Sequence, residues 1–311
     1  MNIIDNSLYI WKRSRKMTIR HFKIFIAVAD AGSMTAAAEI LFISQPTVSQ
    51  AVAELEAHYG TRLFDRLSKR LYITETGRKL LSYARHMISL LDDMEQTVKN
   101  SEETGTLRIG ASITVGTALL PGLVNEFTRL LPSMQIKAAI DNTKEIEAMI
   151  LKNEVDFALV EGIIHSRDIV AKAFMDDELV LVCGSQHPLY KAGVVSVSDL
   201  GEYGFIVREQ GSGTRELFER AAAANLLNWR CIWECSDSGC LKSATLNGIG
   251  LAVISKKLVE PEIRNRALAV VKVENFDLKR KFSIIHHKNK YLASSMKAFF
   301  DLCYSYSSKG I

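Results

Sequence analysis

Five cysteines in 311 residues are too few, and too irregularly spaced, to build a disulfide framework or a Cys-x-x-Cys metal site. Their odd number fits a reducing compartment, so a cytoplasmic location is expected. No apolar run reaches the roughly 20 residues that cross a bilayer, which excludes a helical membrane anchor. Charge of one sign is also missing. The net value is +4, so any nucleic-acid surface must be local. There is no P-loop, no GxSxG elbow, no metal-ligand cluster and no coherent acid–base pair, so neither an enzyme nor a bound cofactor is expected. No export signal is expected either, because Lys12, Arg13, Arg15 and Lys16 follow a weakly apolar stretch instead of preceding it. Residues 1–16 read as a flexible basic tail ahead of an alternative start at Met17, either adding non-specific DNA affinity or inert. The length suits two or three domains.

What is present concentrates between Met34 and Gly60, which read as two short helices joined by a tight turn. The second opens with Ser44 as N-cap and Pro46 in its first turn. Small polar residues, Gln45, Thr47, Ser49 and Gln50, fill its early turns, and Val48, Val52 and Leu55 form one apolar face. A helix anchored in this way can enter a DNA major groove end-first. The same pattern also describes an ordinary amphipathic pair, so its neighbours matter. Ile19 to Ala31 forms a preceding helix with Phe22, Phe25, Ile26 and Ala29 inward, ended by Gly32. Ser33 caps the next helix, which runs through Leu41, and Ala36, Ala37 and Ala38 let it pack closely.

Leu63 to Thr74 reads as a β-hairpin with its tip at Ser68 and Lys69. Arg62, Arg66, Lys69, Arg70, Arg78 and Lys79 crowd it. Charge runs are commonly just solvated faces. Placed directly after a helix-turn-helix, this one suits phosphate contact by a wing. Thr74 then caps a long helix to about Val98, whose Leu80, Ala84, Met87, Leu91, Met94 and Val98 make a heptad seam. Such a seam pairs with its own copy, and two reading heads then address two half-sites.

The segments Ile19-Arg20-His21-Phe22, Ala31-Gly32-Ser33-Met34-Thr35-Ala36-Ala37-Ala38, Ser44-Gln45-Pro46-Thr47-Val48-Ser49-Gln50, Leu63-Phe64-Asp65-Arg66 and Thr74-Glu75-Thr76-Gly77 stand in the order and spacing of the LysR-type transcriptional regulators, which the chain resembles over its whole length, most densely here. The resemblance implies a multidomain fold: a winged helix-turn-helix N-terminal domain, a long linker helix, and an α/β two-lobed C-terminal domain similar to periplasmic binding proteins. The expected divisions are 17–74 for DNA binding, 75–104 for the linker and dimerisation helix, and 105–311 for the effector domain. Within the last, lobe I takes about 105–179 and 282–311, and lobe II about 180–281. The resemblance also implies a tetramer, an interrupted-dyad operator in double-stranded DNA, and RNA polymerase as a further partner. Arg20, Ser33 and Thr35 are expected on the duplex backbone, and Gln45, Pro46, Thr47, Ser49 and Gln50 at base edges. Arg66, Lys69 and Arg70 are expected on phosphate. Many relatives carry Arg where this chain has Gln50, and Gln favours adenine edges over guanine.

Beyond Gly105 strands and helices alternate: strands 106–111, 134–140 and 155–160, helices 117–131 and 144–152, then separate strands 169–174 and 178–183. A second α/β set runs from Phe205 to about Val273, and strand 282–286 with helix 293–303 returns to the first. Ligands of such sheets sit beyond strand ends at helix starts. Ser112 and Thr114, Asn142 and Thr143, and Ser212, Gly213 and Thr214 fall there, suited to a small anionic metabolite. Each also reads as a plain helix cap. Arg215 either supplies a positive charge or faces away. Cys231, Trp233 and Cys235 share one strand face, read as core. His286 and His287 read as structural. Cys240 near a helix start supports an alternative, redox-sensing regulator.

Overall fold

The computed structural model describes residues 17–67, 70–99 and 105–308, with side chains except at 66, 67, 70, 96–99, 307 and 308. The basic tail at 1–16 and the hairpin tip at Ser68 and Lys69 lie outside the described residues. The chain forms two compact units, Met1–Ser101 and Glu102–Ile311.

The first unit contains α1 (Ile19–Ala31), α2 (Met34–Ile40), α3 (Gln45–Tyr59), an antiparallel hairpin of β1 (Phe64–Leu67) and β2 (Arg70–Ile73), and α4 (Glu75–Lys99). Its boundaries follow from local chemistry. Gly32 ends α1 in the left-handed conformation, while the Ser33 and Ser44 hydroxyls accept the N–H groups of Ala36 and Thr47, each at 3.4 Å. Phe25, Val28, Val48, Leu55 and Leu63 are fully buried, each contributing about 1.5–3 kcal/mol. The buried face of α1 is Phe22, Ile24, Phe25 and Val28. Ile26 and Ala29, expected inward, are only partly covered, because α2, α3 and α4 all pack on this helix and turn its apolar face. Thr74 fastens α4 to the hairpin root. Its Oγ1 donates to the Arg62 carbonyl and accepts the Gly77 N–H, both at 2.9 Å. A methyl group on Gly77 would stand 2.3 Å from the Leu63 carbonyl oxygen, so only glycine permits this close approach.

The heptad seam of α4 is divided. Leu80 and Ala84 turn into the core of this unit together with Leu81 and Ile88. Tyr83, Met87, Leu90 and Met94 form the exposed apolar stripe, at steps of four, three and four. The side chain of Val98 lies outside the described residues.

In the second unit β3 (Gly105–Ser112), α5 (Ile113–Ala118), α6 (Leu120–Leu130), β4 (Met134–Asp141), α7 (Thr143–Leu151) and β5 (Phe157–Glu161) come first. The single helix expected over 117–131 is two, because Pro121 cannot continue a helix and Leu119 leaves helical geometry before it. Next is β6, an unbroken strand Ile169–Gly184 where two were expected. The order continues through β7 (Val194–Val195), α8 (Val197–Leu200), β8 (Gly204–Arg208), α9 (Gly213–Ala224), β9 (Arg230–Cys235), α10 (Ser238–Leu246), β10 (Leu251–Ser255) and α11 (Lys256–Arg264). It closes with β11 (Leu268–Val270), β12 (Lys272–Val273), β13 (Lys279–His287) and α12 (Ser294–Ser308).

The main sheet has the order β4-β3-β5-β13-β6-β10-β8-β9, with β11 also on β6. The first half of β6 pairs with β13 and its second half with β10 and β11, so one strand serves both lobes. Phe127, Phe157, Phe282 and Phe299 centre the lobe I core, and Phe205 and Phe218 that of lobe II. Cys231 and Trp233 are exposed, contrary to expectation, because β9 is the sheet edge and only Cys235 turns inward.

Candidate functional site

In the first unit α3 rests on Val48, Ala51, Val52 and Leu55, leaving its N-terminal end outward. Gln45, Pro46 and Gln50 are exposed there, and Thr47 and Ser49 half-buried. Arg20 and Thr35 are exposed, while Ser33 is half-buried and committed as a cap. Arg66 and Arg70 stand on opposite strands of the hairpin, and their side chains, like all of Lys69, lie outside the described residues. The sequence did not flag Glu54. Its Oε1 accepts the Gln50 amide at 3.0 Å, and its Oε2 takes the His21 Nε2–H at 2.8 Å. The Thr18 N–H donates to His21 Nδ1 at 3.1 Å, which fixes that tautomer. Gln50 is therefore pre-oriented, with its carbonyl and one amide hydrogen still available, the acceptor–donor pair complementary to the N6–H and N7 of an adenine edge.

In the second unit the three hydroxyl-bearing loops meet. The Lys144 N–H donates to the Gly211 carbonyl at 3.2 Å, joining the loop before α7 to the loop before α9. A methyl group on Gly162 would lie 2.9 Å from Gly213 Cα, and one on Gly213 would lie 2.5 Å from the Glu161 carbonyl oxygen. Bare backbones thus face each other across the lobes at the end of β5. Ser112, Thr114, Thr143, Ser212 and Thr214 are all buried around this point.

Their hydroxyls are not equivalent. Ser112 caps α5 through the Val115 N–H at 3.3 Å and donates its one hydrogen to Glu161 Oε2. Thr143 donates to the Glu161 carbonyl at 3.0 Å, and Asn142 caps α7 through the Glu145 N–H at 3.1 Å. Ser212 makes no side-chain cap on α9. Thr214 Oγ1 accepts from Arg280 Nη1 at 2.9 Å and keeps its own hydrogen.

Arg280, on β13, is the charged centre. Its Nε donates to Asp177 at 2.7 Å, and its Nη1 lies 3.7 Å from Glu161 Oε1. Asp177 also accepts the Ser255 hydroxyl at 2.7 Å. All three charged side chains are almost completely buried, and Arg280 Nη2 has no partner among the described residues. One guanidinium thus serves two carboxylates and keeps an unused N–H. Asp177 and Arg280 also line an open pocket of about 690 Å³ with Lys256, Lys257 and Glu260 of α11, to which none of the three loops contributes a residue. Arg215 is not the cation of this site, because it reaches Glu219, Glu234 and the face of Trp229.

Two further features flank the cleft. His165 bridges Glu147 on α7 and Glu216 on α9, at 3.4 and 3.3 Å, and the Glu147 hydrogen bond raises its pKa above the ordinary histidine value. In lobe II, Cys240 is exposed and its N–H is capped by Asp237 at 2.8 Å. Burial, then a hydrogen bond that the thiol donates to Cys240, push the neighbouring Cys235 thiol up to about 12.

Comparison with known proteins places both units. A family model described as a bacterial regulatory helix-turn-helix protein of the lysR family matches residues 19–78, and one described as a LysR substrate binding domain matches 100–307. The HTH-type transcriptional regulator YeiE of Escherichia coli K12 is 32% identical over 287 residues, covering 92% of this chain and 97% of its own. The Synechocystis CcmR regulatory domain, solved in complex with 2-PG, has a TM-score of 0.62 at 24% identity and covers 66% of this chain and 98% of its own. Full-length CbnR, solved with its target DNA, has a TM-score of 0.58 at 22% identity and covers 94% of this chain and all of its own.

Proposed function

The chain belongs to the LysR family of bacterial transcriptional regulators and carries its effector-binding domain; from this premise we propose that a small anion, bound where the 112–114, 142–143 and 212–214 loops converge, controls how paired helix-turn-helix heads grip an interrupted dyad in the cytoplasm. The observation that carries the effector reading is Arg280, a buried guanidinium with an unused N–H beside the uncapped start of α9. The 2-PG held by the CcmR regulatory domain supports it. The lobes share β6, so a ligand that favours one lobe angle shifts the population of the whole domain.

At the DNA, Gln45, Pro46, Thr47, Ser49 and Gln50 read base edges. Arg20, Ser33, Thr35, Arg66, Lys69 and Arg70 hold the duplex backbone. The exposed stripe on α4 pairs with a second copy, and two such dimers form the tetramer. Full-length protein titrated with operator and random duplex tests the assignment. Gln45→Ala lowers the ratio of the two affinities, whereas Lys69→Ala weakens both and flattens the salt dependence by about one charge. An unchanged ratio in Gln45→Ala removes base readout from this helix.

A redox-sensing regulator is the second reading, favoured by the Cys235 thiol lying beside exposed Cys240. Its high thiol pKa makes Cys235 a slow resolving partner. Loss of a peroxide response in Cys240→Ser, with no small-anion effect on the parent protein, selects this reading over the first.

A further inference from the structure

We propose that Glu161 selects ligands by their hydrogen content, so that the cleft accepts an oxyanion or organic acid that carries an O–H and rejects its fully deprotonated counterpart. The inference rests on the reading above that a small anion binds here. It starts from an accounting of hydrogens. Of the hydroxyls at the convergence, Ser112 and Thr143 have given theirs to Glu161, one to its side chain and one to its carbonyl. What remains for a ligand on the donor side includes Arg280 Nη2, the Thr114, Ser212 and Thr214 hydroxyls, and the first N–H groups of α9. These hold one bare anionic oxygen well.

The acceptor side is Glu161. Its Oε2 takes the Ser112 hydrogen, and its Oε1 stands 3.7 Å from an Arg280 nitrogen already hydrogen-bonded to Thr214. A carboxylate has about four lone-pair sites and no hydrogen to give. Side-chain exposure of 2% leaves little room for water to satisfy the remainder. Charge points the same way, because Glu161 and Asp177 already share Arg280. A second bare oxygen facing Glu161 would set two acceptors of like charge together without screening, whereas a ligand O–H there makes a charge-assisted hydrogen bond. Discrimination therefore comes from an unpaired acceptor built against the wrong ligand.

Inorganic phosphate and sulfate are suitable probes, because at pH 7 phosphate keeps a hydrogen and sulfate has none. Lactate and propionate repeat the comparison for carboxylates, differing by one hydroxyl. Calorimetric titration of the full-length protein at constant ionic strength should show the hydrogen-bearing member of at least one pair binding at least about tenfold more tightly. In Glu161→Gln the side-chain amide offers an N–H to a bare oxygen, so that preference should narrow to about threefold or less, mainly through tighter sulfate or propionate binding. An unchanged thermal transition for the second unit shows that the variant is folded. Equal affinities in the parent, or an unaltered preference in a folded Glu161→Gln, overturn the proposal and leave the anion reading intact. Binding of none of the four probes overturns the anion reading itself, and this proposal with it.

Discussion

Replacing Arg280 with methionine removes the only cation among three buried charges while keeping most of the side-chain volume. Asp177 has no exposed side-chain surface and Glu161 has 2%, so neither carboxylate can recover water when the guanidinium is lost. Removing one partner of a buried pair costs about 3–5 kcal/mol, because the remaining charge stays desolvated. In a unit of this size, each kcal/mol lowers the melting temperature by about 2–4 °C, so Arg280→Met should melt about 6–20 °C lower. Scanning calorimetry of the full chain reads this directly, since the helix-turn-helix unit supplies an internal reference that should not move. The double variant Asp177→Asn/Arg280→Met removes one stranded charge and keeps an acceptor for Ser255, so it should recover part of the loss. A shift under about 2 °C, or a double variant no more stable than the single, would refute the assignment of Arg280 as the charge that holds the two buried carboxylates.

Leu90→Glu places a charge in the middle of the exposed stripe on α4, and sedimentation should show at least a tenfold weaker dimer with an unchanged monomer fold. An unaltered association constant would move the dimer interface elsewhere. Asp156 supplies a pH test. Burial alone would raise its carboxyl, but Arg108 at 2.6 Å and Lys290 at 2.8 Å outweigh burial and hold it below the usual range. Its contribution is therefore present above the unfolded value near 4 and is lost as pH falls through the lower folded value. Urea midpoints should fall more steeply below about pH 4 for the parent than for Asp156→Asn. Parallel curves would show that this carboxylate is not a source of acid sensitivity.

Legibility divided along the range of the interactions. Caps at Ser33 and Ser44, the glycine after α1 and the apolar face of α3 depend on neighbours a few positions away, and the sequence displays them directly. The loops at Ser112, Asn142 and Ser212 were readable for the same reason, as small polar residues between a strand and a helix. Glu161 and Arg280 were not. Arg280 meets partners 103 and 66 positions away, and an arginine between Lys279 and Lys281, ahead of the expected strand 282–286, looks like surface. The unbroken course of β6 was hidden at Asp176 and Asp177, which fall between the two expected strands; Arg280 and Ser255 account for the buried one. The heptad seam misled in a related way. Spacing alone shows that α4 has an apolar stripe and leaves open which part is taken by its own unit.

The return of β13 and α12 to lobe I imposes an order on synthesis. The lobe II core draws on residues from Leu179 to Leu278, one continuous stretch. The lobe I core cannot close without Phe282, Ile284, Met296, Phe299 and Leu302, which leave the ribosome after the whole lobe II core. At about 5–20 residues per second, β3, β4 and β5 wait several seconds with apolar faces uncovered while the lobe encoded after them can already fold. The part of the domain translated first is thus completed last, and it has the longest exposure to chaperones, proteases and premature termination.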